Sequence, residues 1–249
     1  MGAPARRRVT WRVASVTAVR DETPSARTLT LEVAGWPGHR AGQHVDVRLT
    51  AADGYTATRS YSLASAPDGE RVELTVERLD DGEVSPYLAG VVAAGDRLEL
   101  RGPLGGWFVW HPGQAEHVQL VAGGSGLVPL MAMVRTHAQA VSRAPLRLLY
   151  SVREPDAVLY RDELRDRQRD GLDARLAFTR RAPEGWPRPP ARVDAALLAY
   201  VTWPPETGAT TYVCGPTGFV ESVSQDLVGG GHDPGRIRTE RFGPSGGTR

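Results

Sequence analysis

Four short stretches carry groups that an ordinary core would not choose. Residues 59–65 read RSYSLAS, placing Arg59, Ser60, Tyr61 and Ser62 in a row after an alternating pattern. A fixed charge, a phenol and hydroxyls on a half-buried strand fit two readings: a polar edge strand, or a seat for a flat, phosphorylated ligand. Residues 82–85, GEVS, start a helix with Ser85 as N-cap and Pro86 at its first position, where free N–H groups suit a phosphate. Residues 121–129, VAGGSGLVP, end an apolar run and open a helix. Gly123, Gly124 and Gly126 would let the backbone approach an anion there, or merely make a tight turn. Residues 212–218, YVCGPTG, repeat that layout with Thr217 as helix cap. Cys214 then falls at the end of a strand, where open α/β sheets hold ligands. A lone buried cysteine is also an ordinary small hydrophobe.

Several other chemistries are excluded by composition. All thirty basic residues are arginine, which removes Schiff-base lysines and the lysine of a Walker A loop. The single cysteine cannot build a disulfide or a four-cysteine iron–sulfur or zinc site within this chain. The six histidines (His39, His44, His111, His117, His137 and His232) lack ligand-like spacing, so no metal is expected. A net charge of +1 gives no reason to expect nucleic acid, and Arg6-Arg7-Arg8 reads as a solvated terminus. Arg6 breaks the myristoylation pattern, and neither a secretory h-region nor an 18-residue apolar run is present. The expectation is a cytoplasmic protein without membrane insertion. Its 249 residues, 41% hydrophobic and 24% charged, suit one large globular domain or two of ordinary size.

The elements that must position these groups follow two patterns. HVDVRLT (44–50), RVELTVERL (71–79) and DRLELRG (96–102) alternate, with Gly-containing turns between them. They predict a small antiparallel barrel or sandwich, interrupted by a helix after Ser85 that stops at Gly95. From about residue 117, strands and helices alternate: HVQLVAGG, then a helix with Leu130, Met133, Val134 and Val141 on one side, then LRLLYSV, and so on to RIRTERF. That repetition predicts a parallel sheet with crossover helices. The boundary is expected in residues 110–117, giving an N-terminal β-barrel domain at 1–112 and a C-terminal α/β domain at 113–249. RGPLGGWFVW (101–110) reads as an aromatic interface cluster, and residues 181–192 as a surface loop.

An antiparallel barrel bearing Arg-x-Tyr-Ser, a phosphate-ready helix, then an α/β domain with a Gly-rich first turn and Cys-Gly-Pro, resembles the ferredoxin–NADP reductase superfamily. Within it, the likeness is to the flavin and nicotinamide modules of oxygenase reductases. The resemblance runs from GQHVDVRL to ERFGP. It implies that Arg59 pairs with flavin phosphate, Tyr61 packs on the isoalloxazine, and Ser62 hydrogen-bonds near its N5, with Ser60 alongside. It further implies that backbone near Val76 and Arg78 lines the flavin, and that Gly82, Glu83, Val84 and Ser85 hold a pyrophosphate, which favours FAD over FMN. Gly123, Gly124, Ser125 and Gly126 would face the nicotinamide nucleotide's pyrophosphate. Cys214, Gly215 and Pro216 would place its ring over the flavin, with Glu240 and Phe242 nearby. Ser62, Cys214 and Glu240 are thus the implied catalytic residues. Ser151 and Arg153, helped by Arg180 or Arg181, would suit the 2′-phosphate of NADPH, whereas Glu154 and Asp156 would suit the free hydroxyl of NADH.

The implied reaction is hydride transfer from NADPH or NADH to bound FAD, with electrons passed to a separate acceptor. A ferredoxin, an oxygenase component or a molybdoenzyme component would serve, since the chain ends at ERFGPSGGTR without an iron–sulfur domain. Two alternatives stand beside it: reduction of free flavin or ferric chelates as small-molecule acceptors, and a flavin- or nucleotide-binding subunit with no turnover of its own.

Overall fold

The computed structural model of the chain describes residues 9–243. Strands β1 (Trp11–Thr23), β2 (Ala26–Val33), β3 (His44–Thr50), β4 (Thr56–Ser62), β5 (Arg71–Glu77) and β6 (Arg97–Leu104) form an antiparallel sheet of order β4-β3-β6-β1-β2-β5. The alternation works as the sequence implies. Val45, Val47, Val72, Leu74, Leu98 and Leu100 point inward and, with Leu29 and Leu31, fill the first core. Burying each such side chain contributes roughly 1.5–3 kcal/mol. The sheet curls until its two end strands approach, and just past β4 they are linked by a bridge from Leu63 to Leu74, the bond from Ala64 N to Glu73 O at 2.8 Å and the bond from Glu73 N to Ser65 Oγ at 3.1 Å. An open seam remains between β4 and β5.

Helix α1 (Ser85–Gly90) departs from expectation at both ends. Val84, not Ser85, is its N-cap, because the Ser85 hydroxyl accepts instead from Leu79 N at 3.1 Å and closes the preceding loop. The helix stops at Gly90, where Val92 turns into the barrel core, and Gly95 at φ +100° serves the next turn.

The second half alternates: β7 (Val118–Gly123), α2 (Leu127–Gln139), β8 (Leu146–Val152), α3 (Arg161–Arg169), β9 (Asp173–Phe178), α4 (Ala195–Val201), β10 (Thr210–Pro216), α5 (Thr217–Gly229) and β11 (Ile237–Phe242). All pairings are parallel, in the order β11-β10-β7-β8-β9. On α2, Leu130, Met133 and Val134 are buried, but Val141 lies past the helix end at φ +48° and is 84% exposed. Thr217 is the first residue of α5 rather than its cap, a position taken by Pro216. No helix among the described residues is long and apolar enough to cross a membrane, and no group of three potential metal ligands occurs among them.

Contacts on two faces hold the halves together. Phe108 meets Tyr212 edge-on at 5.5 Å, and the Tyr212 hydroxyl donates to Val109 O at 2.9 Å, while neighbouring Trp107 remains exposed. On another face, Arg135 of α2 pairs with Glu163 of α3 (2.5 Å), pairs with Glu73 of β5 (3.1 Å) and donates to Ala64 O (2.8 Å). Burial works against the Arg135 charge, but Glu163 and Glu73 outweigh it and hold the group above its ordinary value. Tyr160 stacks under this guanidinium at 4.8 Å and donates to Thr75 Oγ1 at 2.5 Å.

Candidate functional site

The parallel sheet has its switch point between β7 and β10, because the chain runs from β7 to β8 on one side and returns to β10 on the other. Ligands of open α/β sheets bind outside the carboxyl ends of such strands. Gly123 ends β7 there, a single 3-10 turn spans Gly124–Gly126, and α2 follows directly. Beside it, Cys214 pairs with Ala122 on one flank and Glu240 on the other, followed by Gly215 with Arg241 and Pro216 with Phe242.

The glycines divide their duties. A Cβ on Gly126 would lie 2.1 Å from the Cys214 carbonyl oxygen, and one on Gly123 would lie 2.7 Å from the Phe219 ring. Those two are required so that the Gly-rich and Cys-Gly-Pro loops can press together. Gly124, at φ +56° with nothing within 4 Å of its missing Cβ, supplies the open backbone an anion could approach, beside half-exposed Ser125.

The barrel meets this point through the end of β4. Ser62 pairs with His44 across β3–β4, and His44 Nδ1 lies 3.7 Å from Glu240 Oε1 on β11. Ser62, His44, Glu240 and Cys214 therefore share one neighbourhood built from both halves. Ser62 Oγ and Glu240 Oε2 are buried there without a hydrogen-bond partner among the described residues, so both are open to a ligand or a water. Tyr61 is half-buried next to them, and burial pushes its phenol up to about 12, nearby Arg59 acting the other way. Ser60 is not brought into this group. Two positions before Ser62 and on the same face of β4, its hydroxyl is taken by Asp46 at 2.7 Å, which in turn accepts from Arg101 at 2.6 Å.

Arg59 lies one residue pair further from the ring site, half-exposed, donating to Thr58 O at 2.8 Å and ion-paired with Glu83. Gly82 packs tightly under Ser85 Oγ, and the Val84 side chain is buried in the barrel core, so these residues offer backbone alone. The Val76 side chain is likewise buried, while Arg78 is exposed beside Asp80 at 3.4 Å. At six residues, α1 supplies only a slight dipole to this region.

At the end of β8, Ser151 is buried in register with Gly123. The Arg153 carbonyl accepts from the N–H groups of Arg180 and Arg181 at 2.9 and 3.1 Å, which sets three arginines together. Glu154 and Asp156 both bind Arg181, at 3.1 and 2.8 Å. Arg153 and Arg180 have no ion pair among the described residues.

His44 and Phe219 are the contributors that motif reading misses. The only signal for His44 is a histidine opening an otherwise apolar-alternating strand; Phe219 gives none.

Burial disfavours the charged form of each titratable group in this neighbourhood. Burial raises the Glu240 carboxyl to about 7. Burial, aided by Glu240, pushes the Cys214 thiol well up, and burial lowers the His44 imidazole against the pull of Asp46. Because Glu240 binds its proton more tightly folded than unfolded, its contribution to stability is full below about pH 4.5 and is lost as pH rises through 7. Glu240→Gln, which cannot ionise, is therefore expected to gain on the natural protein by about 2–3 kcal/mol between pH 5 and pH 8. Urea unfolding at the two pH values measures this; equal differences at both would contradict it.

Comparison with known proteins agrees with this architecture. Residues 14–109 match the oxidoreductase FAD-binding domain, and residues 120–225 match the oxidoreductase NAD-binding domain. The chain is 32% identical over 220 residues to the NADH oxidoreductase HCR of Escherichia coli K12, covering 87% of this chain and 64% of that protein. It is 30% identical over 210 residues to the glycine betaine monooxygenase reductase subunit of Chromohalobacter salexigens, covering 82% of this chain and 56% of that one. The chain thus spans less than two thirds of these curated relatives. Among solved structures, the FAD/NAD-binding domain of the nitric oxide dioxygenase of Vibrio cholerae superposes with a TM-score of 0.83 at 26% identity, covering 94% of this chain and 99% of that one.

Proposed function

Because the chain belongs to the ferredoxin reductase-like family of FAD- and nicotinamide-dependent oxidoreductases, we propose that it is an NAD(P)H-dependent reductase that delivers electrons through bound FAD to a separate protein acceptor. The observation that carries this reading is the buried, unpartnered Ser62 hydroxyl facing the meeting point of the barrel seam and the β7/β10 switch.

The residues present fit FAD. Tyr61 offers a flat apolar face, Ser62 an unsatisfied hydroxyl, Arg59 a guanidinium fork, and the unpaired outer edge of β5 beyond Leu74, near Val76, free backbone. When bound, the flavin supplies two-electron chemistry with the nicotinamide and release of electrons to the acceptor. Ser62 orients the ring by a neutral hydrogen bond. Cys214, Gly215 and Pro216, fixed against Gly126, wall the nicotinamide side. Below about pH 7, protonated Glu240 and the neutral thiol keep negative charge out of this buried neighbourhood. Gly124 and Ser125 receive the nucleotide pyrophosphate at the start of α2.

At the ribose, Glu154 and Asp156 are occupied by Arg181, which leaves Arg153 and Arg180 for a 2′-phosphate. NADPH is therefore our preferred nucleotide, although the Escherichia coli relative is named for NADH. The oxygenase-reductase name of the Chromohalobacter relative supports a protein acceptor of the oxygenase class here.

Anaerobic titration of the FAD-loaded protein with NADPH and with NADH tests the reading. Stoichiometric bleaching of the flavin band, faster with NADPH, is expected. No bleaching by either nucleotide would sink the reductase assignment, and faster bleaching by NADH would reverse the role given to Arg153.

A further inference from the structure

The barrel reaches into the nucleotide half through one carboxylate. Register in the β1–β2 hairpin slips between Asp21 and Thr23, so Glu22 sits in a bulge with no partner across the strand. Bulges of this kind re-aim a side chain. The Glu22 carboxylate, 7% exposed, accepts from Arg20 at 2.7 Å and from the Thr28 hydroxyl at 2.7 Å. Its other oxygen accepts from Tyr160 N at 3.2 Å, 138 positions along the chain. Tyr160 is the N-cap of α3, lies at φ +51° and makes no side-chain capping bond of its own. Its hydroxyl donates to Thr75 of β5, which also bonds Thr28 at 2.7 Å. The barrel thus fixes Tyr160 by its backbone N–H and by its phenol.

Residues 153–160 lead from the end of β8 to the start of α3. Arg153 and Asp156 are exposed along this loop, whereas Val158, Leu159 and Tyr160 are buried. At the near end, the Arg153 carbonyl is held by the N–H groups of Arg180 and Arg181. At the far end, Leu159 N reaches the Tyr150 hydroxyl at 3.4 Å, and Tyr160 N reaches Glu22 in the other half. We infer that Glu22 is a positioning residue for the nicotinamide nucleotide: by fixing Tyr160, it sets the loop that receives the adenosine end. The inference rests on the reading of residues 153–156 as the ribose-binding loop. Coupling through a chain of packed and hydrogen-bonded groups changes a distant affinity by roughly 2- to 30-fold. Glu22 lies apart from the reacting groups, so its effect falls on nucleotide affinity and not on the rate once the nucleotide is bound.

Glu22→Leu removes the acceptor, and Glu22→Gln keeps an acceptor oxygen in the same place. Both variants and the natural protein, loaded with FAD, are titrated calorimetrically with 2′,5′-ADP and with ADP-ribose, the adenosine-bearing fragments of NADPH and NADH. Stopped-flow bleaching over a range of nucleotide concentrations gives the half-saturating concentration and the saturated rate. Glu22→Leu is expected to weaken the preferred fragment about fivefold and to raise the half-saturating concentration by the same factor. The saturated rate should stay within about twofold, and Glu22→Gln should recover most of the affinity. Tyr160→Phe keeps the bond to Glu22 and loses only the one to Thr75, so a weakening of about two- to threefold is expected. That variant carries the test if Glu22→Leu does not fold. A merely structural Glu22 would lower stability in urea while leaving the affinity of the folded protein unchanged. That result, or an equal fall in the saturated rate, would overturn the inference. Failure of the natural protein to bind either fragment would instead overturn the reading of the ribose loop, and the inference with it.

Discussion

Replacing Ser62 with alanine is expected to slow flavin reduction by the nicotinamide nucleotide about 10²- to 10³-fold, the usual loss for one aimed hydrogen bond at a reacting centre. Flavin retention should stay within about twofold, because Tyr61 and Arg59 are untouched. The structure makes the test unusually clean. Ser62 is 6% exposed and its hydroxyl has no partner among the described residues. Removing an unsatisfied buried oxygen leaves nothing newly unpaired, so folding stability should hold or rise slightly. A structural serine would behave in the opposite way, losing stability without a specific kinetic defect. Stopped-flow bleaching and urea unfolding on the same preparation separate the two cases, and Ser62→Thr, which keeps the hydroxyl, should recover part of the rate. An unchanged bleaching rate in the alanine variant would end the proposed role.

Arg135→Met is expected to cost about 3–5 kcal/mol of stability, the range for removing one member of a buried ion pair. The guanidinium is only 12% exposed, and its loss leaves the Ala64 carbonyl without this donor and Glu163 and Glu73 with Arg167 and Arg71 alone. It also removes the cation above Tyr160, whose backbone is held at φ +51°, an unfavourable conformation for tyrosine. The two halves share this network, so the loss should loosen one against the other as well as each alone. Urea unfolding followed by circular dichroism and by tryptophan fluorescence measures it. A loss under about 1 kcal/mol would show that the network contributes little beyond packing.

How much of this was readable from the chain depends on the distance over which each feature is encoded. β3 and β8 match their sequence patterns to the residue, because uninterrupted alternation or an apolar run specifies them locally. The long β1–β2 hairpin is poorly announced. Its register slips between Val16 and Ala18 and again between Asp21 and Thr23, so only Ala14 and Val16 of β1 are buried and the period is lost. Local capping logic also failed at Ser85 and Thr217, where a side chain bonded to a loop and a preceding proline decided the helix start. In the site, the motifs located Ser62, Cys214 and the Gly-rich turn, since each is a departure from core-like sequence. They could not show that Gly126 serves the Cys214 carbonyl, that Asp46 takes the Ser60 hydroxyl, or that Glu83 holds Arg59. Those facts depend on partners far apart in the chain. Arg135 is the extreme case: an arginine on an apolar helix looks like a surface residue until Glu73, 62 positions earlier, is brought against it.

The incomplete closure between β4 and β5 leaves strand edges that another polypeptide could pair with. A barrel that closes has no free edge, whereas two end strands joined by one bridge leave backbone donors and acceptors able to recruit a foreign strand. Here that edge is bordered by Arg59, Arg78 and Asp80, all exposed, and their charges discourage strand-to-strand pairing. The groups that make the gap hospitable to a flat charged molecule are also those that make it inhospitable to another polypeptide, so a single set of side chains guards the edge and opens it to its ligand.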